Sequence, residues 1–235
     1  MHSDPVAALP LTPVTTAGVV DEVHQVLLDM LVVGSLEPDS NLSIDGLARS
    51  LDVSPTPVRE ALARLEHTGL VVRAPRRGYR VAPRMSSEQM AELLEARQVL
   101  ESGAIRRAVE RDGEALTKAL EKALEEHQEA SSKLKATSGA GPENLRPVYE
   151  YFQKDWAFHQ VILDHCGNRY INRAVNSLSF SVHRMRQSVT NHTTDAQTAT
   201  EEHRRILEMV KAGDAEGAEQ AMAQHLAQVA ERTLG

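Results

Sequence analysis

The sequence predicts a mainly α protein: three short helices and a small basic hairpin, followed by an all-α bundle of six or seven helices. Three observations carry this. Apolar residues recur at helical spacing through residues 18–66 and again through 85–235. A run of arginines separates the two stretches. The charge is also unevenly placed. Residues 1–48 hold seven acidic groups and no Lys or Arg, whereas residues 49–84 hold eight arginines against Asp52, Glu60 and Glu66, a net of +5. The 235-residue chain as a whole stands at −7. A basic block on an acidic chain marks one surface suited to a polyanion.

Residues 1–17 mix Pro, Thr and Ala without periodicity and read as a flexible arm. Val20, Val23, Leu27, Met30 and Leu31 then mark an amphipathic helix ending at Gly34. Ser43 can cap a second helix, whose Ile44, Leu47, Ala48 and Leu51 follow an i, i+3, i+4, i+7 pattern. After a tight Asp52-Val53 turn, Ser54 is expected to cap a third helix. Pro55 takes its first position, where a missing N–H costs nothing, and Pro57 still lies within the first turn. Val58, Ala61, Leu62 and Leu65 form the buried stripe, which leaves Thr56, Arg59, Ala63 and Arg64 outside. Gly69 fits a left-handed C-terminal cap. The following Val71–Val81 reads as a hairpin carrying Arg73, Arg76, Arg77 and Arg80. A helix that can enter a groove beside a basic ribbon that can lie on phosphates describes a winged helix-turn-helix, assigned to residues 18–83.

Residues 84–88 read as a linker and 89–235 as a helical domain. Ser86 with Gln89 and Thr198 with Glu201 have the spacing of capping boxes. Breaks are expected near Asp112-Gly113, within Ser131–Pro147 as a mobile loop, at Gly167-Asn168, across Thr190–Gln197 and at Gly213. The single cysteine, Cys166, excludes an internal disulfide and suits a reducing cytoplasm. No apolar run approaches the roughly 18–20 residues of a membrane span, and the start of the chain lacks the order of a signal peptide. There is no glycine-rich phosphate loop, nucleophile elbow or Cys-x-x-Cys pair. With Trp156, three Phe and four Tyr, a stacking platform for single strands is not expected either.

The helical domain places polar groups where apolar ones belong. Asp155 and His159 are one turn apart on the face of Phe152 and Ile162. His203 shares a stripe with Ile206, Leu207 and Val210, and His225 shares one with Met222, Leu226 and Val229. Burying such groups unpaired is costly. Each histidine could be a hydrogen-bonded core residue, or one divalent metal could satisfy all four through imidazole nitrogens and a carboxylate oxygen. Arg97 lies on the stripe of Met90, Leu93, Leu94, Leu100 and Ala104, with Glu101 one turn on as an ion-pair partner. His165, His183 and His192 read as ordinary histidines.

Two stretches resemble a known family. Leu42, Leu47-Ala48, Val53-Ser54, Thr56-Pro57-Val58-Arg59-Glu60-Ala61-Leu62, Leu65, Gly69-Leu70-Val71 and Gly78 match the pattern of GntR-family bacterial transcription regulators. The resemblance implies groove and phosphate contacts by Ser54, Thr56 and Arg59, with Arg64 on the same face. It also implies a wing in which Gly78 lets the tip approach the minor groove and Arg73, Arg76 and Arg77 meet phosphates. One position departs: the family's usual arginine between serine and threonine is Pro55, which implies an altered sequence preference. Asp155 to His159, His203 to Leu207, Gly213-Asp214 and Met222 to Leu226 resemble the metal-binding FCD effector domain of the FadR subgroup. That resemblance implies Asp155, His159, His203 and His225 as ligands of a divalent metal, zinc first, with nickel and manganese also fitting. It implies Arg97 as a contact for a small organic acid beside the metal. A cytoplasmic homodimer on a pseudo-palindromic double-stranded DNA operator follows, most commonly a repressor relieved by its effector. Two alternatives stand beside it: a metal-dependent enzyme acting on a small organic acid, and an acyl-CoA-responsive regulator, in which the metal ligands would have no role.

Overall fold

The computed structural model describes residues 17–74, 78–136, 145–188 and 196–234. The expected N-terminal arm, Arg76 and Arg77, the centre of the loop expected between Ser131 and Pro147, and the segment before Ala196 lie outside them.

Helix α1 (Ala17–Val33) buries Val20, Val23, Leu27 and Leu31, the spacing of one helical face, and ends at Gly34 with φ +79°. Strand β1 (Asn41–Leu42) leads into α2 (Ile44–Ser50), where the Ser43 hydroxyl accepts the Gly46 N–H. Asp52, at φ +53°, turns the chain into α3 (Pro55–Glu66). Ser54 takes the N-cap position with Pro55 next, but its side chain makes no capping hydrogen bond, which corrects the expectation of a capping hydroxyl. With Pro57 at the third helical position, one of the two N–H groups such a cap would serve is already missing. Gly69, at φ +73°, closes α3, and strands β2 (Val71–Ala74) and β3 (Gly78–Val81) pair antiparallel, with sheet order β1-β3-β2. Val58, Ala61, Leu62 and Leu65 are fully buried against α1 and the sheet. Burial of Val58, Leu62 and Leu65 contributes about 1.5–3 kcal/mol each.

Helix α4 (Ser87–Ala136) begins at a reciprocal capping box, the Ser86 hydroxyl accepting the Gln89 N–H and the Gln89 carbonyl oxygen accepting the Ser86 N–H. It kinks at Asp112 (φ −159°, ψ 69°), whose carboxylate caps the Ala115 N–H. The break expected at Asp112-Gly113 is therefore a bend between two helical halves. Their apolar stripe continues through Ala130 and Leu134, so the helix runs past Ser131. Helix α5 (Leu145–His165) carries Pro147 in its first turn. Gly167, at φ +65°, and Asn168, whose side-chain oxygen accepts the Tyr170 and Ile171 N–H groups, start α6 (Arg169–Ser177). Helix α7 (Ser179–Ser188) precedes α8 (Ala196–Lys211), and Gly213, at φ +68°, turns the chain into α9 (Ala215–Leu234). Thr198 is not a helix start, as its capping-box spacing suggested. Ala196 and Ala199 bury on the stripe that reaches His203, and this packing begins α8 before Thr198.

The second core forms where α4, α5, α8 and α9 meet, around Ile105, Leu116, Phe158, Ile162, Ile206 and Met222. Helix α7 bridges the first core and the start of α4. Phe180 packs against the first, Val182 and Met185 pack on Met90 and Leu94 of α4, and Arg184 Nη2 donates to the Pro83 carbonyl at 3.1 Å.

Candidate metal centre and nucleic-acid interface

Three helices deliver the four residues singled out in the bundle: α5 brings Asp155 and His159, α8 brings His203 and α9 brings His225. All four are buried. Ligand atoms of His159, His203 and His225 lie within 4.8 Å of one another, as do those of His127, Asp155 and His203. The predicted residues thus fall in two overlapping groups that share His203, and Asp155 is grouped with His127 of α4 rather than with His159 and His225. The His203 ring stacks on Phe158 at 4.1 Å between centroids and meets His225 edge-on at 4.7 Å. These contacts fix the plane of the ring as well as its position.

The outward nitrogens are anchored. His159 Nδ1 stands 2.6 Å from Glu101 Oε2, and His225 Nδ1 stands 2.7 Å from Glu202 Oε2. An ionised carboxylate only accepts, so His225 carries its proton on Nδ1 in its hydrogen bond to Glu202, whereas His159 Nδ1 lies at ion-pair distance from Glu101 without hydrogen-bond geometry. Each carboxylate is held in turn by an arginine. Arg97 Nε donates to Glu101 at 2.7 Å, and Arg232 donates to both Glu202 oxygens at 2.6 and 3.0 Å. Burial alone would raise the Glu101 carboxyl, but the Arg97 charge and His159 together pull it down to about 2. Glu202 is likewise pulled below its ordinary value by His225 and Arg232 against the effect of burial.

The imidazoles are pushed the other way. Burial, together with the neighbouring rings, holds His203 well below its ordinary value despite Asp155. Burial also lowers His225, although Glu202 opposes it. Near neutral pH both are uncharged, the form that ligates metals. Nε2 of His159 and Nε2 of His203 are buried and make no hydrogen bond among the described residues. Bare buried nitrogens facing a carboxylate fit a divalent cation, and the three-nitrogen, one-oxygen donor set suits zinc, nickel or manganese.

Arg97 is 2 % exposed and lies 5.6 Å over the Trp156 ring. Its ion pair with Glu101, read from the i, i+4 spacing, is present, and through Glu101 it adjoins His159. Sequence reasoning missed His127, Glu202 and the link from Glu101 to His159. A signal existed for two of them. His127 shares a stripe with Leu120, Leu124 and Leu134, and Glu202 shares one with Ala199 and Ile206.

At the other end of the molecule, Ser54, Thr56 and Arg59 are exposed along one edge of α3. Arg59 makes no ion pair among the described residues, so the pairing with Glu60 or Glu66 that its neighbours offer is not formed. Arg64 is held by Asp21 of α1 at 2.6 Å, and Arg80 by Asp39 at 3.1 Å. Arg73 projects from β2 and lies 5.9 Å over the Tyr79 ring. Gly78 sits at φ +83° at the start of β3, with open space around its Cα.

A basic helix and hairpin joined to a helical bundle with a buried ligand cluster is the build of a DNA-binding transcription regulator. The model of bacterial regulatory proteins of the gntR family matches residues 19–81, and that of the FCD domain matches residues 92–228. YdhC of Bacillus subtilis, an HTH-type transcriptional regulator, is 31 % identical over 85 % of this chain and 84 % of its own length. The transcriptional repressor RspR of Escherichia coli is 25 % identical over 92 % of this chain and 89 % of its own. The solved structure of E. coli McbR/YncC superposes with a TM-score of 0.71 over 92 % of this chain and 96 % of that one, at 23 % identity. The chain belongs to the GntR family of bacterial transcriptional regulators and carries an FCD domain. It is a regulator that binds DNA, not an enzyme. No helix among the described residues is long and apolar enough to cross a membrane.

Proposed function

We propose that this regulator is a cytoplasmic homodimer whose grip on a pseudo-palindromic operator is set by a cation and a small organic acid in its helical bundle. The domains divide near the bounds the periodicity suggests, with residues 18–83 reading DNA and the helical domain sensing and dimerising, though the expected 84–88 linker is shortened because α4 begins at Ser87. Ser54, Thr56 and Arg59 meet the groove, and Gly78 with Arg73, Arg76 and Arg77 forms the wing contact. Arg64 is at most a peripheral contact, because Asp21 already holds it.

One observation carries the sensor half of this reading: separate helices bring ligand atoms of the buried His159, His203 and His225 within 4.8 Å of one another, and Nε2 of His159 and of His203 make no hydrogen bond among the described residues. Asp155, His159, His203 and His225 would hold the cation, zinc first. A bound cation would leave open positions for a carboxylate oxygen. In the present arrangement Arg97 is spent on Glu101. Gripping an effector carboxylate would therefore exchange one carboxylate partner for another at the same guanidinium. Effector-relieved repression is the favoured sign, in keeping with the similarity to a named repressor. An acyl-CoA effector would leave the buried imidazoles without a role.

The test is metal content by mass spectrometry of the purified protein, with operator binding measured with and without chelator and with small carboxylates added. About one equivalent of cation per chain is expected, with operator affinity that a carboxylate shifts only when the cation is present. The coupling expected is about 1–3 kcal/mol. Metal-free protein with carboxylate-insensitive binding would overturn the proposal.

A further inference from the structure

His159 and His225 each spend Nδ1 on a carboxylate, but His203 has none in that place. Its Nδ1 lies 3.2 Å from Nδ1 of His127, which is fully buried on α4 between the rings of Tyr151 and His203. The other nitrogen of His127, Nε2, stands 3.9 Å from Oδ1 of Asp155. His127 thus touches a candidate ligand at each end of its ring.

Two ring nitrogens 3.2 Å apart share one proton, so one ring donates and the other accepts. If His203 is to offer a bare Nε2 to a cation, its proton must sit on Nδ1. His127 must then accept that proton with its own Nδ1, which leaves its remaining proton on Nε2, towards the Asp155 carboxylate. With His203 protonated on Nδ1, one His127 tautomer accepts at Nδ1 and turns its N–H towards Asp155, 3.9 Å away, whereas the other would set two N–H groups against each other. We propose that His127 is a positioning residue of the cation site, locking the His203 tautomer from outside while steering Asp155. Partners that orient ligating histidines set affinity without touching the metal.

The inference rests on the cation reading above, and the test separates the two. Zinc affinity is measured by competition with a chromophoric chelator for the wild type, His127→Leu and His127→Asn. An asparagine oxygen can take the place of the imidazole Nδ1 acceptor, whereas leucine cannot accept. Leucine should weaken zinc binding about 10–100-fold and asparagine should recover most of the loss. Cobalt(II)-loaded proteins should keep the same visible band positions, since no ligand is lost. Equal affinity in wild type and His127→Leu overturns the inference and leaves the cation reading intact. Cobalt bands altered alike in both variants overturn it by making His127 a ligand. A wild type that binds no cation overturns both. Should His127→Leu fail to fold, ring ¹⁵N spectra of the zinc-loaded wild type decide. Protons on His203 Nδ1 and His127 Nε2 are expected, and a metal-bound nitrogen on His127 is the contrary result.

Discussion

In α3, Ser54, Thr56 and Arg59 face outward over a floor of Val58, Ala61, Leu62 and Leu65, whereas in the bundle Asp155, His159, His203 and His225 face inward among Phe158, Ile162, Ile206 and Met222. The first arrangement keeps recognition and stability on different side chains of one helix. The second puts them on the same side chains, because a buried polar group must find a partner or lose free energy. Changes to the DNA-binding lobe should therefore alter either binding or folding, and changes to the bundle cluster should alter both.

The largest expected effect tests the first half of that contrast. Leu62 is fully buried, at 0 % accessibility. Leu62→Ala should cost about 2–5 kcal/mol through lost burial and the cavity left behind. Urea unfolding would measure it, with bound cation assayed in parallel. Unchanged cation content with lowered stability is expected, and a loss of cation at folded concentrations would break the separation of the two lobes.

The second effect comes from the bundle. A cation bound only by the native state stabilises it by about 2.7 kcal/mol when present at a hundred times its dissociation constant. Chelation should lower the melting temperature by the corresponding amount, and zinc should restore it. The change should fall on helices α4, α5, α8 and α9 in hydrogen exchange and spare α3. Equal melting with and without chelator would remove the cluster's link between occupancy and stability.

Legibility in the sequence followed the same divide. The stripe of α3 was readable residue by residue, because an amphipathic helix reports its own buried face through local spacing. Asp155 and His159 were readable for the converse reason, two polar groups one turn apart on an apolar stripe. The partners that anchor them were not. His203 meets His127 across 76 residues and His225 meets Glu202 across 23, and no local pattern encodes a contact between different helices. His127 carried the same signal as His203, a polar ring on an apolar stripe, but with Leu124, Ala130 and Ser131 at helical spacing it had no carboxylate one turn away as His159 has in Asp155. Thr198 failed differently. Its capping spacing is a weak local preference, and burial of Ala196 and Ala199 on the His203 stripe outweighs it.

The smallest effects sharpen the contrast within α3 itself, where two exposed arginines differ only in what already holds them. Arg59 makes no ion pair among the described residues, whereas Arg64 donates to Asp21 at 2.6 Å with both side chains about half exposed or more. Arg59→Ala should weaken operator binding and reduce the slope of log affinity against log salt by about 0.9, the share of one phosphate. Arg64→Ala should leave that slope unchanged, because its guanidinium is oriented towards α1. Its cost appears in stability instead, at no more than about 1 kcal/mol, since an exposed pair is screened by solvent. Operator titrations across a range of salt for both variants, beside thermal melts, measure the difference. Equal slopes in the two variants would show that the Asp21 pair opens on DNA and that exposure, not prior pairing, decides which arginines of α3 reach phosphate.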